Sequence, residues 1–343
     1  MAAAILRLRF EVLLMSMRRP LLALALVTTL AGCSTSPGPV PTRAPTPAPV
    51  VFPAPKPIRI GLALGGGAAK GFAHIGVIKV LEANGLKADV VAGTSAGSVV
   101  GAMYAGGMDA FALQEHAVAL DAASIRDLRL FSGGLVQGQK LQDYVNAQVG
   151  NRPIERLGRP FAAVATQLET GKRMVFSRGN VGQAVRASSS IPGVFEAVPI
   201  GRFTYVDGGL VSPVPVDAAR DLGADLVIAV DISSKAGGTA PGSLLGNVNQ
   251  SITIMGQTLG ALELGRADVV IRPNVLDIGA VDFEQKGRAI LEGERAAVAA
   301  MPQIRARLAQ LRAARAPKPK AVPKPVCKPP SRIDRLMGKA CAG

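Results

Sequence analysis

"VVAGTSAGSVV", residues 90–100, is the stretch on which the reading of this chain turns. Val90 and Val91 are β-branched and suit a buried strand. Small residues follow, and Ser95 stands between Gly93 and Gly97. The residues from 96 to 107 then fit a helix built of small side chains. A strand that turns sharply into a helix needs small residues around its apex, because side chains resist the backbone angles required there. G-x-S-x-G is the pattern of such an elbow, which pushes the apex serine out over the end of a sheet. The N–H groups that open the next helix lie nearby, with the positive end of its dipole, roughly half a charge. The pattern therefore nominates Ser95 as a nucleophile.

The surroundings alternate short apolar runs with amphipathic stretches. "IRIGLAL" (58–64) and "DVVAG" (89–93) read as strands, as do 161–166, 173–177, 203–207, 225–230 and 267–273. Residues 70–85 read as a helix with Phe72, Ile75, Ile78 and Leu81 on one face and Gly85 as its stop. Further helices are predicted at 109–121, 139–149, 180–187, 214–222, 243–264, 284–300 and 302–314. Strands alternating with helices predict one α/β domain over 58–315 with a mainly parallel sheet. In 243–264 the residues Leu244, Leu245, Val248, Ile252, Met255, Leu259 and Leu262 recur at helical spacing, and a core-facing helix is expected.

The formal charge of +15 is concentrated at the ends. Residues 1–57 hold six Lys/Arg and one acid, and 316–343 hold seven and one. The middle keeps 26 basic and 22 acidic residues, net +4. No basic face interleaved with stacking aromatics is indicated, so no nucleic-acid partner is expected. Arg18, Arg19, an apolar run from Leu21 of roughly 12 residues and small residues before Cys33 have the form of a signal peptide over 1–32. "LAGC" (30–33) resembles the lipobox of bacterial lipoproteins, which implies lipidation of Cys33 and an exported, membrane-anchored protein at the outer membrane or periplasmic face. Residues 33–57 read as a tether, with nine prolines between 34 and 57. The Pro/Lys-rich segment 316–343 is expected to be a disordered tail. There Cys327 and Cys341 are candidates for a disulfide in an oxidising compartment. Two thiols without a nearby His make no metal site.

A nucleophilic serine needs a base. The chain has two histidines, His74 and His116, and neither suits the Ser–acid–His order of an α/β-hydrolase triad. His74 is expected to be a packing or supporting residue and His116 structural. The ordinary triad is thus disfavoured.

Two blocks carry a family resemblance. "GLALGGGAAKGFAHIGVIKVLEANGLKADVVAGTSAGSVVGAMYAGG" (61–107) and "AVRASSSIPGVFEAVPIGRFTYVDGGLVSPVPVDAARDLGADLVIAVDIS" (184–233) resemble the patatin-like phospholipases. The resemblance implies a three-layer α/β/α fold with a mainly parallel central sheet. It also implies a Ser–Asp dyad that needs no histidine, metal or cofactor. Ser95 in "GTSAG" matches the nucleophile and Asp207 in "DGG" the base, with Gly208 and Gly209 beside it. The glycine loop after the first strand matches the oxyanion hole, with Lys70 at the family's basic position, followed by Gly71. "GGGAAKG" has one residue more than the usual spacing, which leaves the register open: Gly66 and Gly67 are the first choice for donors, Gly65 and Ala68 the second. "ATQL" (165–168) has Gln167 where the family often has Asp. Ser188, Ser189 and Ser190 resemble a family turn expected to shape the pocket entrance.

The function implied is a phospholipase A or lysophospholipase-like esterase acting on phospholipid or related acyl esters. Two alternatives stand beside it. One is a non-catalytic patatin-like scaffold. The other is a dinucleotide-binding protein in which Gly65-x-Gly67 holds a pyrophosphate and Glu82 or Asp89 a ribose.

Overall fold

The structure, a computed structural model, describes residues 56–119, 138–316 and 332–337. The signal segment, Cys33, nearly all of the tether, Cys327 and Cys341 lie outside the described residues.

Eight strands form one sheet: β1 (Ile60–Leu64), β2 (Val90–Thr94), β3 (Phe161–Gln167), β4 (Arg173–Phe176), β5 (Val198–Ile200), β6 (Phe203–Asp207), β7 (Leu226–Val230) and β8 (Val269–Ile271). The order is β5-β6-β3-β2-β1-β7-β8, with β4 also on β3. From β8 to β3 the pairings are parallel. β4 and β6 run antiparallel to β3, and β5 antiparallel to β6. The helices are α1 (Ala73–Ala83), α2 (Ala96–Gly106), α3 (Ala110–Ala119), α4 (Gln139–Gln148), α5 (Val181–Ser188), α6 (Val216–Asp221), α7 (Leu244–Leu264), α8 (Lys286–Arg315) and α9 (Arg332–Leu336).

Alternation along the central strands builds the layers. Leu62 and Leu64 of β1, with Ile228 and Val230 of β7, pack into the core shared with α1, α2, α5 and α8. Ala63, Val227 and Ala229 point to the opposite face, where Val216, Ala218 and Ala219 of α6 and Leu264 of α7 cover them. Parallel strands buried on both faces explain the near-continuous apolar runs of the sequence. This is the expected α/β/α arrangement with a mainly parallel sheet.

Four expectations are corrected. The helix expected over 70–85 opens as a 3-10 turn, Ala68–Phe72, before α1. The two helices expected on either side of Pro302 are one, because Ala297, Met301, Ile304 and Leu308 continue a single buried stripe past the proline. Helix α7 does not turn its apolar stripe to the core: Leu244 is 83% exposed, and Met255 and Leu262 are each 62% exposed. Its inward face is small instead, with Gly256 near Gly209 O and Gly260 against Pro213. The tail expected to be without structure holds the short helix α9. Strand β5, three residues with Pro199 at its centre, is too short and too proline-interrupted for sequence periodicity to reveal.

Candidate active site

Pairing along β3 brings the two sequence-nominated groups together. Its residues 163–166 pair with β4 on one edge. The other edge is shared by two strands. β2 occupies it as far as Thr94 opposite Val164, and β6 enters from the other direction and ends with Asp207 opposite Ala165. The chain therefore leaves β2 at Ser95 where it leaves β6 at Asp207. The Ser95 hydroxyl lies near enough to the Asp207 carboxyl to lower its pKa. Gly209 N–H donates to Asp207 Oδ1 at 2.7 Å. Catalytic hydrogen bonds are commonly loose before substrate is bound.

The elbow has the expected form. Ser95 lies at φ 53°, a conformation costly for a residue with a Cβ, and it caps α2. Gly93 and Gly97 permit the close crossing: a Cβ on Gly97 would stand 2.1 Å from Leu64 O, and one on Gly93 2.4 Å from Gly97 O. Gly208 plays the same part under Asp207, where a Cβ would meet Val164 O at 2.1 Å. Ser95 and Asp207 are each 6% exposed. Burial pushes the Asp207 carboxyl up to about 6, against the lowering effect of the nearby Ser95 hydroxyl and the Gly209 N–H.

The glycine loop follows β1 directly and is fastened on several sides. Gly65 N–H donates to Val230 O at 3.0 Å. Its carbonyl accepts a 2.8 Å hydrogen bond from His74 Nε2, so His74 supports the loop as expected. Burial lowers this histidine to about 4 and keeps it neutral. Gly66 sits against the nucleophile, where a Cβ would come 3.3 Å from Ser95 Cβ. Its N–H, however, is committed to Pro213 O at 3.0 Å. Of the first choice of oxyanion donors, Gly66 therefore has its N–H in use and Gly67 does not. The N–H groups of Gly67 and Ala68 have no hydrogen-bond acceptor among the described residues. Ala68 holds φ 52°, in the left-handed region. Gly71 packs on Ala96, where a Cβ would approach Ala96 Cβ to 2.7 Å. Lys70 is buried beside the loop, its Nζ donating to Ser234 Oγ at 2.6 Å, and desolvation lowers its pKa.

Residues 62–220 match the family model described as patatin-like phospholipase. Over these residues the chain is a patatin-like phospholipase domain. An uncharacterized NTE family protein of Mycobacterium bovis is 39% identical over 186 residues, covering 53% of this chain and 51% of the relative. Patatin-like phospholipase domain-containing protein 6 of Mus musculus is 33% identical over 184 residues, 51% of this chain and 14% of that protein. VipD from Legionella pneumophila aligns in structure over 74% of this chain and 68% of its own, with a TM-score of 0.44 and 15% identity. The chain thus spans about half the length of the first curated relatives it matches.

Several supporting residues of the patatin-like domain escaped the sequence reading. Ser188 was expected at a pocket entrance, yet its hydroxyl lies beneath the nucleophile. It accepts from Ser95 N–H at 2.9 Å and donates to Val164 O at 2.6 Å, tying the elbow to β3. Ser190 O accepts from Asp207 N–H at 2.9 Å, and Thr166 Oγ1 donates to Asp207 O at 2.8 Å. The run of serines preceding the base was the one available signal, and nothing local showed which of them would reach it. A cleft of about 240 Å³ is lined by Thr166, Leu168, Gly171, Leu210, Val211, Ile252 and Met255; it reaches Asp207 only through Thr166, whose hydroxyl is bonded to Asp207 O, and neither Ser95 nor Asp207 lines it. Apart from Thr166 these side chains are apolar.

Proposed function

We propose that this protein is a serine acyl hydrolase, a phospholipase A or lysophospholipase-like esterase, working with a Ser95–Asp207 dyad. One observation carries the reading: Ser95 and Asp207 follow the abutting ends of β2 and β6, both buried, beside a glycine loop in which the N–H groups of Gly67 and Ala68 have no acceptor among the described residues. Asp207 accepts the Ser95 proton as Oγ bonds to the ester carbonyl carbon. The carbonyl oxygen becomes an oxyanion, held by the N–H groups of Gly67 and Ala68; one such donor contributes about 2.7–4 kcal/mol to the transition state. Collapse breaks the bond to the leaving alcohol, which takes the proton from Asp207. Water then gives a proton to Asp207 and attacks the acyl-serine, and Ser95 regains its proton as the fatty acid leaves. A carboxyl titrating near 6 suits this base better than one at the ordinary value of 3.8.

The apolar cleft that Thr166 joins to Asp207 supports an acyl ester as substrate, with its chain against Leu210, Val211, Ile252 and Met255. The dinucleotide reading has no support from its acidic candidates. Asp89 accepts from Ile60 N–H at 2.7 Å and Glu82 from Ala110 N–H at 3.0 Å.

A fluorophosphonate probe tests the proposal: the wild type labels and hydrolyses acyl esters, whereas Ser95→Ala does neither. Labelling that survives in Ser95→Ala refutes the assignment, and an inert wild type favours the non-catalytic scaffold. Export and anchoring through lipidated Cys33 complete the proposal, supported by the form of residues 15–33. Fatty-acid labelling in cells should be lost in Cys33→Ser. Among the described residues no helix is long and apolar enough to cross a membrane.

A further inference from the structure

Glu263 is the single ionisable side chain of the 21-residue helix α7, and it points inward, 5% exposed. Its two oxygens take two donors from one short segment: Ser212 Oγ–H to Oε1, and Val214 N–H to Oε2 at 2.9 Å. The two residues so held flank Pro213, and the carbonyls of Ser212 and Pro213 between the two bonds are used in turn. Ser212 O accepts from Thr94 Oγ1 at 2.8 Å. Pro213 O accepts from Gly66 N–H at 3.0 Å. Thr94 immediately precedes the nucleophile, and Gly66 immediately precedes the first unsatisfied N–H of the glycine loop. Three residues thus strap the elbow to the loop, and one carboxylate fastens the strap.

Stability alone gives no reason for this carboxylate. A buried charged group is costly, and a well-packed apolar side chain of similar size commonly does as well or better. Helix α7 already approaches the strap through Gly260 on Pro213. What an apolar side chain does not supply is direction: two acceptors at fixed positions that set where the Ser212 and Pro213 carbonyls point.

We propose that Glu263 is a positioning residue of the acyl-hydrolase centre, which sets the spacing between the nucleophile elbow and the oxyanion loop through the Ser212–Val214 strap. This rests on the hydrolase reading above. Glu263 touches no reacting atom in this scheme. Its effect falls on the transition state, where a misplacement of about 1 Å costs on the order of 100-fold in rate.

The test uses the full chain with p-nitrophenyl butyrate, comparing wild type, Glu263→Ala, Glu263→Gln and Ser212→Ala at equal folded concentration measured by near-UV circular dichroism. Glu263→Ala should lower kcat about 10- to 100-fold with KM within about twofold. Glu263→Gln should stay within about threefold of wild type, its carbonyl accepting from Val214 N–H and its amide donating to Ser212 Oγ. Ser212→Ala, which removes one bond of the strap, should fall between them and decides the matter if Glu263→Ala does not fold. Wild-type kcat per folded molecule in Glu263→Ala or Ser212→Ala overturns the proposal, as does Glu263→Gln as slow as Glu263→Ala. An active wild type with unaffected variants removes the positioning role and leaves the hydrolase reading intact. An inert wild type overturns both.

Discussion

Thr94 and Asp207 take neighbouring places along one edge of β3, opposite Val164 and Ala165, although they arrive on strands that run toward one another. The head-on meeting of β2 and β6 explains how two residues far apart in sequence become a pair without a loop to carry either. Rigid strand ends hold both groups, and a site on such elements is more sharply defined than one on loops.

Acidity should limit turnover through Asp207. Its carboxyl must be ionised to accept the Ser95 proton, and burial pushes it up to about 6. We therefore expect kcat/KM to rise with pH through about 6 and to level off above it. His74, lowered to about 4, contributes no inflection in that range. A pH–rate profile checks this; a rate already flat from pH 4.5 upward would contradict the buried-base assignment.

Asp207→Asn should lose hydrolysis and gain stability at neutral pH. Between 3.8 and about 6 the folded chain keeps the Asp207 proton while the unfolded chain has released it. The folded state then binds more protons, so stability falls as pH rises through that window. Glu263, pushed up to about 7 by burial, adds a contribution of the same sign over a higher window. Removing the buried charge should raise Tm at pH 7.5 by about 2–4 °C for each kcal/mol recovered. Scanning calorimetry of the variant at pH 5 and 7.5 reads this, with the larger gain expected at the higher pH.

Gly97→Ala should destabilise the fold as well as the site. The added Cβ would stand 2.1 Å from Leu64 O, a backbone atom at the end of the central strand. Elbow and β1 would have to separate, at a cost of about 1–3 kcal/mol or more. Urea denaturation should show a lower midpoint, and fluorophosphonate labelling should be slower in the fraction that remains folded.

The cleft lined by Val211, Ile252 and Met255 should set chain-length preference. Val211→Trp would occupy part of its volume. Each excluded CH₂ forfeits about 0.8 kcal/mol of burial. The ratio of C12 to C4 p-nitrophenyl ester hydrolysis should drop about tenfold or more. An unchanged ratio would place the acyl chain elsewhere.

Much of this protein was legible in its residues, and the boundary follows a physical line. The elbow, the "DGG" base and the glycine loop are local: small residues are needed within a few positions of a turn, so Gly93, Ser95, Gly97 and Asp207 stand out in the sequence. The α/β class was equally open, since apolar alternation is a property of each strand. Which loop N–H groups stay free was not. Whether Gly66 N–H is free depends on Pro213, far along the chain, and only the folded backbone shows that bond. Helix α7 misled for the same reason: periodicity reveals that a stripe exists but not which face the tertiary neighbours cover, and here glycines and Glu263 face inward. The parts of the site set by local backbone geometry could be read from one dimension. Those set by long-range hydrogen bonds, Ser188 under Ser95 and Glu263 on the 212–214 strap, were decided by the packing of the sheet and its helices in three.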